Sequence, residues 1–121
     1  ERYSQVSAAL PNNLTAQYTV NTDETTSGLL VVDVTYTNGT GADVVVDNSQ
    51  YKLVGDSGSN VTANDATLIQ GYDANFDMSN VAGTVTVHDT LQTKLYFVRH
   101  IDAGSANLSF GDTNLGVLVN L

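Results

Sequence analysis

From Leu14 to Val20 the chain alternates: Leu14, Ala16, Tyr18 and Val20 share one parity, and Thr15, Gln17 and Thr19 the other. A period of two is what a strand with one buried and one wet face requires, and it predicts a first strand there. The clearest run is Leu29 to Asn38, with Leu30, Val32, Val34 and Tyr36 on one face and Asp33, Thr35 and Thr37 on the other. It stops at Asn38-Gly39-Thr40-Gly41, residue types that tolerate the positive φ angles of tight turns. The expectation is that a second strand, Ala42 to Asp47, folds straight back on it.

Tyr51 and Leu53 repeat the alternation before Gly55-Asp56-Ser57-Gly58-Ser59-Asn60 breaks it with turn-forming residues. Between residues 61 and 82 the pattern is brief, in Ala66 to Gln70 and Asn75 to Met78, and is interrupted at Gly71-Tyr72-Asp73. Strands are predicted again over Thr84 to His88, Thr93 to Arg99, Ala106 to Phe110 and Leu115 to Asn120. This spacing of short strands predicts an all-β, immunoglobulin-like antiparallel β-sandwich of about 7–9 strands.

A helical period of 3.6 lasts more than a turn or two only in Glu1 to Leu10, where Tyr3, Val6 and Leu10 share one side and Pro11 closes the segment. Residues 1–11 are therefore expected to be a short, helix-compatible extension or linker, and residues 12–121 the sandwich. As alternatives to a frayed terminus, the extension suits the stub of a membrane helix or a strand donated to a neighbour. At the other end, the run Val117 to Leu121 is apolar on both parities, so its edge needs a cover, internal by default or from another chain.

A chain of 121 residues makes one core of ordinary domain size. No stretch approaches the roughly 20 apolar residues of a membrane span. Thirteen acidic residues against four basic ones give a formal charge of -9, which excludes nucleic-acid binding, because neutralising phosphates takes clustered Lys and Arg. No cysteine is present, so neither disulfides nor thiolate metal sites stabilise the fold. The Thr-, Asn- and Ser-rich polar positions point to a secreted or surface location. A chain opening on Glu1 leaves room for an anchoring segment ahead of it.

The histidines His88 and His100, beside Asp89 and Asp102, are expected on the solvated surface, since no nucleophile elbow accompanies them. Two histidines without cysteine are too few for zinc. Calcium suits the alternating oxygen donors of Asp73-Ala74-Asn75-Phe76-Asp77, but Met78 and Thr84 stand where such a loop needs glycine and an acid. A second set of oxygens, Asp56, Asn60, Asn64 and Asp65, joins it only if the loops meet. No metal ligand, cofactor or catalytic residue is assigned. Asn13, Asn38, Asn60 and Asn107 each open an Asn-x-Ser/Thr acceptor triplet.

The stretch Leu30 to Asn38, followed by Val44-Val45-Val46-Asp47, Tyr51-Lys52-Leu53-Val54 and Asp56-Ser57-Gly58, resembles the telokin-like extracellular domains of bacterial and archaeal surface proteins. Val81-Ala82-Gly83-Thr84-Val85-Thr86-Val87 extends the resemblance weakly. More distantly the chain is similar to ectodomains of archaeal motility and pilus accessory proteins. The resemblance implies no catalysis. The expected function is a non-enzymatic interaction and assembly module, with proteins of the cell envelope or identical subunits as partners. The alternative is a structural subunit of a filament or virion that associates through its chain ends. Tyr72, Asp73, Asn75, Phe76 and Asp77 are the candidate interaction residues, because an aromatic among polar loop residues can anchor an interface.

Overall fold

The computed structural model describes residues 3–6, 10–11, 14–55, 59–99 and 105–120. Within them ten strands form two antiparallel four-stranded sheets and a two-stranded ribbon, the all-β sandwich the alternation predicts. One sheet runs β1 (Tyr3–Val6), β2 (Thr15–Val20), β3 (Leu29–Thr37), β8 (Thr90–Val98). The facing sheet runs β10 (Thr113–Asn120), β9 (Ser105–Phe110), β5 (Tyr51–Gly55), β6 (Asn60–Thr62), and the ribbon pairs β4 (Val44–Asp47) with β7 (Thr84–Val87).

The inward parity of each sheet builds the core. Ala16, Tyr18, Leu30, Val32, Val34, Tyr36, Leu95 and Phe97 face Tyr51, Leu53, Val61, Ala106, Leu108, Val117 and Val119, and the ribbon adds Val44, Val46 and Val87. Burying each such side chain is worth about 1.5–3 kcal/mol, and with no cysteine to cross-link the layers this packing must hold them.

Three phenols join the two sheets at the centre of that core. Tyr51 on β5 lies 2.8 Å from the Tyr18 hydroxyl on β2 and 2.7 Å from the Tyr36 hydroxyl on β3. A buried phenol needs a hydrogen-bond partner, and these three supply one another across the layers.

β3 and β8 are buried on both faces where they pair. Leu29, Leu30, Val31 and Val32 lie opposite Val98, Phe97, Tyr96 and Leu95. Leu30, Val32, Leu95 and Phe97 point into the main core, while Leu29, Val31, Tyr96 and Val98 form a second cluster on the outer face. That face is covered by a helix that the alternation does not predict, α1 (Ala66–Tyr72), which contributes the buried Ile69. Asp65 caps it by accepting from the Leu68 N–H at 3.2 Å. Seven residues are too few for a helix to stand alone in water, so α1 exists because the sheet needs covering.

Two further expectations are corrected. The strand after Asn38 does not fold back on β3, because β2 and β8 already occupy both edges of β3. The chain instead crosses to the ribbon, where β4 meets β7. The buried Asn38 amide holds the crossing by donating to the carbonyls of Ala42 (2.7 Å) and Val87 (3.0 Å). The opening segment is not helical where it is described: Tyr3–Val6 pairs antiparallel with β2, from Tyr3↔Thr19 to Val6↔Ala16. A helix of so few residues gains little, whereas the free edge of β2 offers unpaired backbone groups.

Candidate functional site

The segment after α1 carries the five residues singled out above. The structure gives each a different task. Asp73 closes α1 with its N–H donating to the Ile69 carbonyl at 2.9 Å, and its carboxylate accepts from the Asn75 N–H at 3.0 Å. Asp77 starts a 3-10 turn over Met78–Asn80 and accepts from the Ser79 N–H at 3.0 Å. The Ser79 hydroxyl and N–H hold the Asp77 carboxyl below its ordinary range. Asn75 is exposed.

Phe76 is expected beside Tyr72 as an exposed anchor, and it is half-buried instead. Its ring packs edge-on against Tyr96, centroids 5.6 Å apart at 74°, as part of the cover over the outer face of β8. Tyr72, by contrast, is 45% exposed. It is nonetheless fixed: its hydroxyl lies 3.1 Å from the Thr26 hydroxyl, and its ring rests on Gly28, where an added Cβ would stand 2.1 Å from Cε1.

The described oxygen donors that suit calcium are in part engaged within the chain. Asp65, Asp73 and Asp77 each spend an oxygen on a nearby backbone N–H. Asn64, at φ 54°, turns inward: its amide donates to Ala82 (2.8 Å) and Lys94 (3.3 Å) carbonyls, and its oxygen accepts from the Tyr96 N–H at 2.7 Å. Asn60 is exposed in β6, and Asp56 lies outside the described residues. Among the described residues no three His, Asp or Glu side chains come together.

His88 is exposed, as its parity predicts, and its Nδ1 lies 2.6 Å from the carboxylate of Asp43, just ahead of β4. His100 and Asp102 lie outside the described residues, as does Asn13. Of the acceptor triplets, Asn38 is buried with its amide nitrogen engaged twice, which closes it to a glycan in the folded chain. Asn107 on β9 is half-buried.

Two of the hollows on the outer face of the β2–β3–β8 sheet compete for attention. The larger, of about 610 Å³, is lined by Thr19, Asn21, Asp33, Gln92 and Lys94 among others. Three of its polar side chains are already engaged: the Asn21 amide donates to Glu24 (2.9 Å) and Asp33 (3.4 Å), and Lys94 pairs with Glu24, which raises the lysine pKa. The smaller, of about 300 Å³, lies beside α1 and is lined by Gly28, Thr67, Leu68, Gly71, Tyr72, Val98 and Arg99.

Sequence pattern alone does not single out Gly28, Leu68 or Arg99. A signal is nevertheless present: the two wholly apolar quartets Leu29–Val32 and Leu95–Val98 imply strands covered on both faces, and pairing them antiparallel sets Gly28 opposite Arg99. The Arg99 N–H donates to the Gly28 carbonyl at 3.0 Å.

No family model matches this chain, and no curated protein matches it. Among solved structures, the crystal structure of the yjhA protein from Bacillus subtilis is similar in fold, with a TM-score of 0.51 at 14% identity over 99% of this chain and 96% of that one.

Proposed function

We propose that this domain is a non-enzymatic interaction and assembly module of the cell surface or secreted compartment, which engages protein partners through the face built by α1. Tyr72 carries this reading. An exposed aromatic held by Thr26 and seated on Gly28 offers a large contact area with little rotamer entropy left to lose, as interface hot spots do. The composition and the resemblance to telokin-like surface domains support the compartment.

The test is capture of partners from the envelope and secreted fractions of the source cells on immobilised domain, comparing the natural chain with Tyr72→Ala. A partner retained by the natural chain and lost with the variant supports the reading. Capture that ignores Tyr72, or none at all, overturns it.

A second reading, a subunit joined through its chain ends, is favoured by one observation. β1 and β10, the first and last strands, are outer strands of opposite sheets. β10 pairs with β9 alone among the described residues, and Leu118 on it is 41% exposed. The expected internal cover of this edge is therefore not provided by any described strand. Light scattering after size exclusion decides: oligomers that grow with concentration and dissolve on Leu118→Lys support self-association, and a monomer at all concentrations rejects it.

A further inference from the structure

Arg99 extends β8 by one residue, anchored through its backbone to Gly28. Arg99 also lines the groove beside α1. The Nε atom is shielded from solvent and has no hydrogen-bond partner, and among the described residues no carboxylate pairs with the guanidinium. This occurs in a chain with 13 acidic and 4 basic residues. An arginine does not shed its proton, and a donor withdrawn from water without an acceptor is destabilising. Among the other groove residues, Leu68 and Val98 are apolar, the Tyr72 hydroxyl is engaged with Thr26, and Thr67 carries the remaining side-chain hydroxyl.

We propose that this groove binds the terminal carboxylate of a peptide whose last side chain is apolar. Arg99 meets the carboxylate, while Leu68, Val98 and the Tyr72 ring meet the side chain. Charge sets the sign, because among the described residues no carboxylate neutralises the Arg99 guanidinium, and a planar carboxylate matches the fork of its terminal nitrogens, the covered Nε standing apart. Size sets the extent, because about 300 Å³ is the lower end of small-ligand sites and suits one residue rather than a folded surface. The Tyr72 wall is built in, since its ring occupies the space a Cβ at position 28 would need. This inference deepens the interaction-module reading and rests on it for the occupant being a protein.

The test uses two probes, acetyl-Gly-Ser-Gly-Leu as the free acid and the same peptide as its terminal amide, titrated calorimetrically and by amide NMR. The free acid is expected to shift the Gly28, Thr67, Gly71 and Tyr72 amides and to bind about tenfold more tightly than the amide. Arg99→Gln should reduce the acid to the level of the amide while the remaining spectrum stays natural. Arg99→Lys, which keeps the charge but loses the fork, should fall between them. Gly28→Ala, which displaces the Tyr72 ring, should weaken both peptides alike. Equal binding of the two probes, shifts that map elsewhere, or an acid preference that survives Arg99→Gln overturns the proposal. Absence of peptide binding with Tyr72-dependent capture intact rejects the carboxylate groove alone. Carboxylate-specific binding beside Tyr72-independent capture rejects the module reading alone.

Discussion

Tyr51 accounts for more of this core than its size suggests. Its ring meets Tyr18 and Phe110 edge-on at 5.9 and 4.9 Å, and its hydroxyl is the shared partner of Tyr18 and Tyr36. Tyr51→Phe would leave two buried hydroxyls without a partner, so a loss of about 2–3 kcal/mol is expected in urea unfolding. Tyr18→Phe, which leaves the Tyr36–Tyr51 bond in place, should cost about 1 kcal/mol. Burial also raises all three phenol pKa values, that of Tyr36 to about 12 and those of Tyr18 and Tyr51 further. The unfolded chain then releases these protons first. The stabilising contribution is whole below the ordinary tyrosine value of 10.0 and is lost as pH rises from there through the folded values. Near-ultraviolet titration should show the buried phenols ionising together with loss of structure above that pH. Ionisation of all six tyrosines in a folded chain would contradict this.

At the scale of elements, α1 has the weakest independent claim to its structure. It is short, its cap is Asp65, and its one fully buried side chain is Ile69. Ile69→Ala is expected to cost about 2–4 kcal/mol and to release α1 before the sheets. In hydrogen exchange the Ile69 and Asp73 amides should lose protection while the β2–β3–β8 ladder keeps it. Uniform loss across the ladder would mean that α1 and the sheet unfold as one unit. Asparagine side chains do a comparable joining job where the ladder is interrupted. Asn48 and Asn64 both donate to the Ala82 carbonyl, at 3.0 and 2.8 Å, tying the stretch before β7 to two other parts of the chain. The β10 strand carries its own interruption, a register shift between Asn114 and Val117 with Gly116 at φ 73°. Such a bulge twists an edge and blunts its pairing.

For the whole molecule, charge is the strongest influence on stability once the core is packed. With a formal charge of -9 and one lysine–carboxylate ion pair, Lys94–Glu24, among the described residues, like-charge repulsion opposes the compact state, and salt screens it. The thermal midpoint should therefore rise by several degrees between low ionic strength and about 0.5 M sodium chloride, a concentration at which the Debye length is well under 10 Å. A midpoint that falls with salt would mean that surface ion pairs outweigh the repulsion. The same excess of acid makes Arg99 informative, since among the described residues no carboxylate pairs with it.

Most strands were legible in the sequence because alternation is a local property: Leu14 to Tyr18 and Leu30 to Tyr36 bury the parity they display, whereas β1 and β6 are strands the pattern does not predict. The polar exposure of His88 followed from the same pattern. What the pattern could not hold was which edges were free. The hairpin chemistry at Asn38 to Gly41 suits a turn, but only the packed sheet shows that β2 and β8 have already taken both sides of β3. The helix at Ala66–Tyr72 was hidden for a related reason, since its stability comes from covering Val31 and Tyr96 rather than from its own seven residues. Of the candidate site, Tyr72 stands out from its sequence setting, Phe76 is more buried than its setting suggests, and Arg99 carries no local signal of its role. Local sequence determined the strands and the inward faces, because each residue's neighbours two positions away set them. Tertiary structure alone decided the partners of those strands and the groove at α1, because both depend on residues distant in the chain meeting in space, as Gly28 and Arg99 do.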